Sequence, residues 1–233
     1  CIRDRYVEDQ EFLGMNRLTL NNNKQDRSQI RQCMAYSLFA GAGLPAPRCN
    51  FAQVSVNGQK LGLFSNVESI KKRFIARYFD DNEGRLYEGT LSDFAPNWIN
   101  TFEAKTNKSD PDRSDLIAVQ AALQVPDEEL KAALLKVINI DRFITFWALE
   151  AMINHGDGYA LNRNNFYIYN DPSTGLFEFI PWGVDSAFLD PQQIVQNNYD
   201  GELPHSVYAF GHLAFRLYQH PDGQAAYRSK LLE

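Results

Sequence analysis

The first third of the chain changes its hydrophobic pattern twice. Residues 17–20 alternate like a short strand, and Asp26 follows a polar turn at the position of a helix N-cap. Apolar and small side chains then recur at intervals of three and four residues as far as Ala40, which predicts a helix with one face on the core. This predicted core face consists of Ile30, Cys33, Met34, Ser37 and Leu38.

A β-hairpin is predicted next. Residues 51–56 alternate as a strand, Asn57-Gly58 is a typical two-residue hairpin turn, and residues 60–67 return as the partner strand. Residues 70–79 are basic and amphipathic and are predicted to form a helix. The first third is therefore expected to contain a strand, a helix and a hairpin.

The middle of the chain is predicted to be mostly loop and helix. Residues 90–113 are polar and contain proline, which indicates an ordered loop held down by aromatic side chains. Short helices are predicted at 114–123 and 126–137, and Asp141 is expected to cap a third, apolar helix that leads to His155. The aromatic side chains of the loop are Phe94, Trp98 and Phe102.

A polar loop, a hairpin and a carboxylate follow that helix in order. The loop begins with His155 and Asp157, the hairpin occupies residues 166–180, and Asp185 stands just beyond it. Kinase-like folds place their phosphoryl-transfer groups in this order, with a loop aspartate near the acceptor hydroxyl and an asparagine and a second aspartate on the metal. Asp157 is therefore the candidate catalytic residue, His155 is expected to pack beneath the loop, and Asp185 is a candidate metal ligand.

The asparagine of this pattern has two candidates. Asn162 follows Asp157 at the kinase spacing, whereas Asn165 directly precedes the hairpin strand and is slightly favoured. Mg²⁺ prefers hard oxygen ligands and keeps several waters, so one carboxylate and one amide oxygen beside nucleotide phosphates suffice. Asparagines also support turns without any metal, and that interpretation stays open for each of them singly.

The nucleotide contacts are less specific. A kinase binds adenine at the connection after the lobe-bridging hairpin, here residues 66–69, where Glu68 would contact ribose or cap the following helix. Trp182 and Tyr87 are candidates for stacking on adenine, although aromatic side chains more often belong to the core. Residues 71–73, Lys-Lys-Arg, are typical of a solvated helix face or of a surface for an acidic partner.

Composition excludes several classes of protein. The chain has 233 residues, 44% of them hydrophobic, with 23 basic and 29 acidic side chains and a net charge of −6. This balance, without a basic run, argues against a nucleic-acid partner. No apolar stretch reaches the roughly 18 to 20 residues of a transmembrane helix. Cys1, Cys33 and Cys49 lack the paired spacing of a zinc site, and both free thiols and one disulfide remain open.

Three stretches together resemble the CotH kinase family of spore-coat-protein-H-like atypical kinases. They are residues 18–26, residues 43–68 with Leu-Pro-Ala-Pro-Arg and Val-Asn-Gly, and residues 155–185. The resemblance implies an α+β, divergent protein-kinase-like two-lobed fold, with a partial N-lobe at 1–68 and a mostly helical C-lobe at 69–233. It also implies ATP with Mg²⁺ or Mn²⁺ as cofactors, γ-phosphoryl transfer to Ser or Thr of a protein substrate, and an extracellular, cell-surface or spore-surface location with any signal segment upstream.

Carried over position by position, the resemblance makes Asp157 the catalytic aspartate, Asn165 or Asn162 a metal ligand, and Asp185 the metal aspartate. Two departures bear on activity. Family members often have Trp-Asp-x-Asp where this chain has Gly183 in place of the first acid. A phosphate-binding lysine is also missing before Lys24 and is expected upstream of residue 1.

These departures permit a second hypothesis, a catalytically inactive kinase-fold surface or adhesion protein. Without an upstream lysine, Arg17 or Lys105 would have to bind phosphate. A third hypothesis, a small-molecule phosphotransferase, is weaker because tryptophan precedes the metal carboxylate here, whereas the order is reversed in those enzymes.

Overall fold

The chain folds around two antiparallel sheets, described for residues 17–190 and 207–233 by a computed structural model. The first sheet has the strand order β1-β3-β2 and is crossed by one helix, α1. Asn57 and Gly58 both have positive φ, as a type I′ turn requires, so the predicted β2–β3 hairpin is confirmed. The elements are β1 (Thr19–Asn21), α1 (Arg31–Gly41), β2 (Cys49–Val56) and β3 (Gln59–Val67).

Apart from Cys33, the predicted core face of α1 is wrong by two residues. Ile30, Met34 and Leu38 are 41 to 47% exposed, and the buried side chains are Gln32, Cys33, Ala35, Tyr36 and Phe39. Both sets of residues have helical spacing. The second set is buried because its two aromatic rings, Tyr36 and Phe39, bury more apolar area against the rest of the protein.

Asp26 acts on α1 from a distance. It lies five residues before the first helical residue, yet its Oδ2 accepts the backbone N–H of Arg31 at 2.8 Å and its Oδ1 accepts that of Ser28 at 2.9 Å. These hydrogen bonds hold the pKa of Asp26 below its usual value, although burial acts in the opposite direction. Ile30 occupies the N-cap position, so the N-cap expected at Asp26 is wrong in position. Asp26 still accepts a backbone N–H of the helix, from further back in the chain.

A disulfide joins α1 to the first sheet. Cys33 on α1 bonds Cys49 at the start of β2, with a Cα–Cα distance of 5.1 Å. Cys49 lies opposite Val67, the last residue of β3. The disulfide alternative left open by the sequence is therefore the one adopted, and Cys1 lies outside the described residues.

The second sheet has the order β5-β4-β6-β7. Apolar side chains point alternately to its two faces, so one face covers the main core and the other packs against helix α2. On the α2 face Tyr167, Tyr169 and Ile180 meet Phe74 and Ile75 of the helix. The elements are α2 (Lys72–Tyr78), β4 (Arg85–Gly89), β5 (Glu103–Ala104), β6 (Phe166–Asp171) and β7 (Leu176–Pro181).

Helices fill the remainder. The expected cap of the apolar helix α5 is wrong by two positions, because Asn139 accepts the N–H of Arg142 while Asp141 lies within the first turn. The C-terminal pair α7–α8, for which no prediction was made, packs on α5, and Trp147 stacks on Tyr227 at 3.9 Å between ring centroids. The helices are α3 (Ser114–Leu123), α4 (Asp127–Leu134), α5 (Ile140–Met152), α6 (Tyr159–Asn162), α7 (His212–Gln219) and α8 (Pro221–Leu232).

One aromatic core links the two sheets. Phe39 of α1 contacts Phe146 of α5 at 5.6 Å, and Phe146 contacts Phe179 of β7 at 5.4 Å. Helix α1 is thereby linked through α5 to the core face of β7, the strand that leads to Asp185. Within the described ranges, none of the helices has the length and apolar character needed to cross a bilayer.

Candidate functional site

Asp157 is surrounded by the side-chain amides of three asparagines. Nδ2 of Asn162 donates to its Oδ1 at 2.5 Å, Nδ2 of Asn165 donates to its Oδ2 at 2.6 Å, and Asn164 lies 3.1 and 3.2 Å from the two oxygens. Left-handed backbone at Arg163 and Asn165 turns the loop so that these side chains converge. The carboxylate is thus held in one orientation at the start of β6.

Asn165 also connects this loop to the turn that carries Asp185. Its backbone carbonyl accepts the N–H of Trp182 at 3.2 Å, and its side-chain Oδ1 would lie 2.5 Å from a Cβ at Gly183. Gly183 has φ +53°, so both the backbone conformation and the close approach require glycine. The side chain of Asn165 therefore occupies the space that the first aspartate of Trp-Asp-x-Asp would need at position 183.

Asp185 lies in a short 3₁₀ turn, Val184–Ser186. The carbonyl of Ser186 accepts the N–H of Gly156 at 3.2 Å, which ties this turn to the residue before Asp157. The structure therefore brings Asp157, Asn162, Asn165 and Asp185 into one site, although the two aspartates are 28 positions apart in the sequence.

Two residues that sequence reasoning missed complete the surroundings of Asp185. Nδ2 of Asn21, at the end of β1, donates to Oδ2 of Asp185 and to Oε1 of Gln32, each at 3.1 Å. One turn beyond Gln32, Tyr36 is fully buried, and burial raises the pKa of its phenol with a further contribution from the negative charge of Asp185. The available signals were a polar residue directly after a strand and a glutamine among apolar helix positions.

His155 lies beneath the loop and is 1% exposed. Its Nδ1 is 3.4 Å from Oε1 of Glu150, whose two carboxylate oxygens accept the N–H groups of Tyr159 and Ala160 at 3.0 and 2.8 Å. Glu150 therefore holds the start of α6, the turn between Asp157 and its asparagines. The sequence alone did not indicate this role for Glu150, an acidic residue in an otherwise apolar helix.

The predicted nucleotide contacts separate into two groups. Trp182 is half-buried beside the Asp185 turn, with its ring edge-on to Tyr167 at 5.6 Å. Tyr87 is instead 1% exposed, its hydroxyl lies 3.0 Å from both oxygens of Asp115, and Arg113 lies 5.1 Å over its ring. The structure leaves no open face on Tyr87 for a base.

Glu68 is engaged by two arginines. Its Oε2 accepts the backbone N–H of Arg48 at 3.1 Å and its Oε1 the guanidinium at 3.0 Å, and Arg77 forms a second ion pair. The N-cap position of α2 belongs to Lys71, so Glu68 does not cap the following helix. Glu68 borders a cleft of about 660 Å³ with a basic lining, which includes Arg17, Arg48, Lys71, Lys72 and Arg73.

The two cations considered for phosphate binding are also located. Arg17 lines the basic cleft, whereas Lys105 forms ion pairs with Glu88 and with Glu103, the second at 2.9 Å. Across residues 17–190 and 207–233 no group of three or more His, Cys, Asp or Glu side chains is arranged to hold a metal. A cation at Asp185 would therefore need amide, water or phosphate oxygens as its other ligands.

Comparison with known proteins finds one matching family model and several relatives. The family model described as CotH kinase protein matches residues 2–233. The chain is 24% identical to inner spore coat protein H of Bacillus subtilis over 196 residues, which are 78% of this chain and 53% of that protein. It is 23% identical to invasin CotH2 of Rhizopus delemar over 239 residues, which are 94% of this chain and 40% of the invasin.

The chain thus spans about half the length of the spore coat protein and two fifths of the invasin. A third relative, the inner spore coat protein H-like protein of B. subtilis, is 33% identical over 61 residues, which are 26% of this chain and 20% of that protein. The match to the family model covers nearly every residue, including the loop around Asp157 and the turn around Asp185. This chain therefore belongs to the CotH kinase protein family.

Proposed function

We propose that this chain transfers the γ-phosphoryl group of ATP to a Ser or Thr hydroxyl of a protein substrate, with Mg²⁺ or Mn²⁺ as the second cofactor. The observation that carries the proposal is the double contact of Asn165. Its side chain binds Asp157 at 2.6 Å and lies against Gly183, two residues before Asp185. The two carboxylates that a kinase needs are thereby held in a fixed relation.

Each residue then has a chemical role. Asp157 orients the acceptor hydroxyl and receives its proton, and the three amide donors fix the orientation of its carboxylate. Asp185 and the amide oxygen of Asn165 are the proposed metal ligands, because Nδ2 of Asn165 is already directed at Asp157. When bound, ATP and its cation supply the transferable group and the positive charge that stabilises it.

The donor set fits such a cation. Asp185 and Asn165 offer hard oxygens, which Mg²⁺ prefers, and water and phosphate oxygens complete the shell that Mg²⁺ commonly keeps. Asn162 is less suited to this role, since among the described residues it is hydrogen-bonded to Oδ1 of Asp157 and has no described contact with the turn at Gly183. Of the two candidates that the sequence left open, Asn165 is thus the better supported.

The fold supports a two-lobed arrangement of the kinase type as part of the proposal. In kinases a strand with a phosphate-binding lysine and the helix αC stand on one side of the nucleotide, and the catalytic loop and metal aspartate stand on the other. We assign the sheet β1-β3-β2 with α1 to the first position and the β6–β7 hairpin with its flanking aspartates to the second. Trp182, between the hairpin and Asp185, is the proposed contact for adenine.

Incubation with labelled ATP and Mg²⁺ or Mn²⁺ tests the proposal, with transfer read on the protein itself and on Ser-containing peptides. Asp157→Asn and Asp185→Asn are expected to abolish transfer, while Asp80→Asn, at an exposed position, leaves it unchanged. A folded wild type that is as silent as Asp157→Asn would refute phosphoryl transfer.

A second candidate, a nucleotide-independent binding protein, is favoured by one observation. Among the described residues Asp185 is hydrogen-bonded to the neutral amide of Asn21, a contact that adds no positive charge for a nucleotide phosphate. A thermal-shift titration distinguishes the two, because ATP at about a thousand times its dissociation constant stabilises a protein that binds ATP by about 4 kcal/mol, whereas the nucleotide-independent candidate shows no shift. The names of the spore coat and invasin relatives support a surface location for this chain.

A further inference from the structure

The strand–helix pair at the start of the described chain has an unusual polar contact. In protein kinases a strand lysine forms an ion pair with a glutamate on helix αC, and both must be in place for activity. Here β1 ends in Asn21, and Gln32 stands in the first turn of the helix that follows. The two amides are hydrogen-bonded at 3.1 Å, and this contact between strand and helix carries no charge.

The amide of Asn21 is fixed by three hydrogen bonds. Its Oδ1 accepts the backbone N–H of Asn23 at 3.0 Å, and this contact determines which end of the amide is the donor. The two N–H bonds of Nδ2 are then available for Gln32 and Asp185, both at 3.1 Å. Asn21 therefore connects the helix to the proposed metal aspartate.

The position of Gln32 is determined by the helix that carries it. Gln32 is buried, and the backbone N–H of the preceding residue, Arg31, donates to Oδ2 of Asp26 at 2.8 Å. The next residue, Cys33, is covalently bonded to Cys49 of β2. The position of α1 relative to the sheet, which an ion pair helps to set in kinases, is set here by a disulfide and by a buried cap.

We propose that Asn21 and Gln32 are positioning residues for Asp185. Gln32 orients Asn21, and Asn21 orients Oδ2 of Asp185 without adding charge to the site. The consequence for phosphoryl transfer rests on the proposed function. The orientation of Asp185 itself does not, and it is measurable in the protein without nucleotide.

Hydrogen exchange of the unliganded protein tests the orientation directly. The N–H of Ala187 is bonded to Val184 within the Asp185 turn, and that of Gly156 is bonded to Ser186. Asn21→Leu, which is similar in size but lacks the donor, is expected to accelerate exchange at both amides about tenfold, the effect of losing one hydrogen bond to a charged group. Gln32→Ala is expected to act in the same direction.

Two further variants separate positioning from general destabilisation. Gln32→Glu keeps an acceptor for Asn21 and is expected to exchange like the wild type. Asn22→Leu changes the same residue type at the adjacent, exposed position and is expected to leave both amides unchanged. If neither Asn21→Leu nor Gln32→Ala accelerates exchange beyond Asn22→Leu, the proposal is wrong.

Metal dependence provides the functional arm. The Mn²⁺ concentration for half-maximal ATP-dependent thermal shift is expected to rise about tenfold in Asn21→Leu and to stay near the wild-type value in Gln32→Glu. An unchanged Mn²⁺ dependence in Asn21→Leu would overturn the link to the metal site. A wild type without any metal-dependent shift would refute the proposed function, while faster exchange in the variants would still support the positioning of Asp185.

Discussion

Gly183→Ala tests whether the Asn165 contact maintains the site. At φ +53° an alanine costs about 1 kcal/mol of backbone strain, because the left-handed region disfavours a Cβ. The new Cβ would also stand 2.5 Å from Oδ1 of Asn165, so that side chain must move away. Its 2.6 Å hydrogen bond to Asp157 would then be lost, which costs about 1.5 kcal/mol for a partly exposed charged acceptor. The expected total is about 2 to 3 kcal/mol.

Gly175→Ala is the matched control. Gly175 has φ +71° in the β6–β7 turn and no atom within 4 Å of its would-be Cβ, so it experiences the backbone strain without a collision. Urea unfolding at equal pH and salt should show a loss of about 1 kcal/mol for Gly175→Ala and the larger loss for Gly183→Ala. Gly183→Ala should also lose metal-dependent ATP binding, which Gly175→Ala keeps. Equal losses of stability together with equal ATP binding would refute the role given to Asn165.

Three further changes test other parts of the structure. Replacing Cys33 and Cys49 with serine should lower the free energy of unfolding by about 3 kcal/mol, given a sequence separation of 16. In urea unfolding, reductant should lower the stability of the wild type by the same amount and leave the stability of the serine variant unchanged. Glu150→Gln should cost about 1 to 3 kcal/mol, because the buried carboxylate accepts two N–H groups and an amide has only one acceptor atom; an unchanged urea midpoint would contradict the capping role. Burial lowers the pKa of His212 below 6.5, so near this pH the unfolded chain binds the proton that the folded chain does not, and stability should fall as pH drops below about 6.5. His212→Gln should flatten that part of the pH profile, and an identical profile would contradict the assignment.

Local chemistry was enough to predict the elements that depend on neighbours in sequence. The β2–β3 hairpin follows from Asn57-Gly58, whose residues adopt positive φ at low cost. The β6–β7 hairpin and the apolar helix before His155 likewise follow from patterns within each segment. These elements place Asp157 before one strand and Asp185 after the next, so the order of the site was readable from the sequence.

Contacts between distant segments were not readable in this way. The helix α1 carries two apolar stripes of similar spacing, and only its packing on Phe146 decides that Phe39 is buried while Met34 is exposed. Tyr87 and Glu68 suited a nucleotide contact by position, but the first is enclosed in the core and the second is engaged by arginines.

Sequence patterns were sufficient to predict a mixture of strands and helices, the hairpins and the ordered series of polar groups from His155 to Asp185, because each depends on backbone preferences and periodicity over a few residues. Packing between distant elements explains which asparagine contacts both halves of the site and why position 183 is glycine. It also placed Asn21 beside Asp185, across 164 positions of sequence, and joined Cys33 to Cys49. Such contacts depend on how whole elements pack, and a pattern along one segment contains no information about the segment that will lie against it.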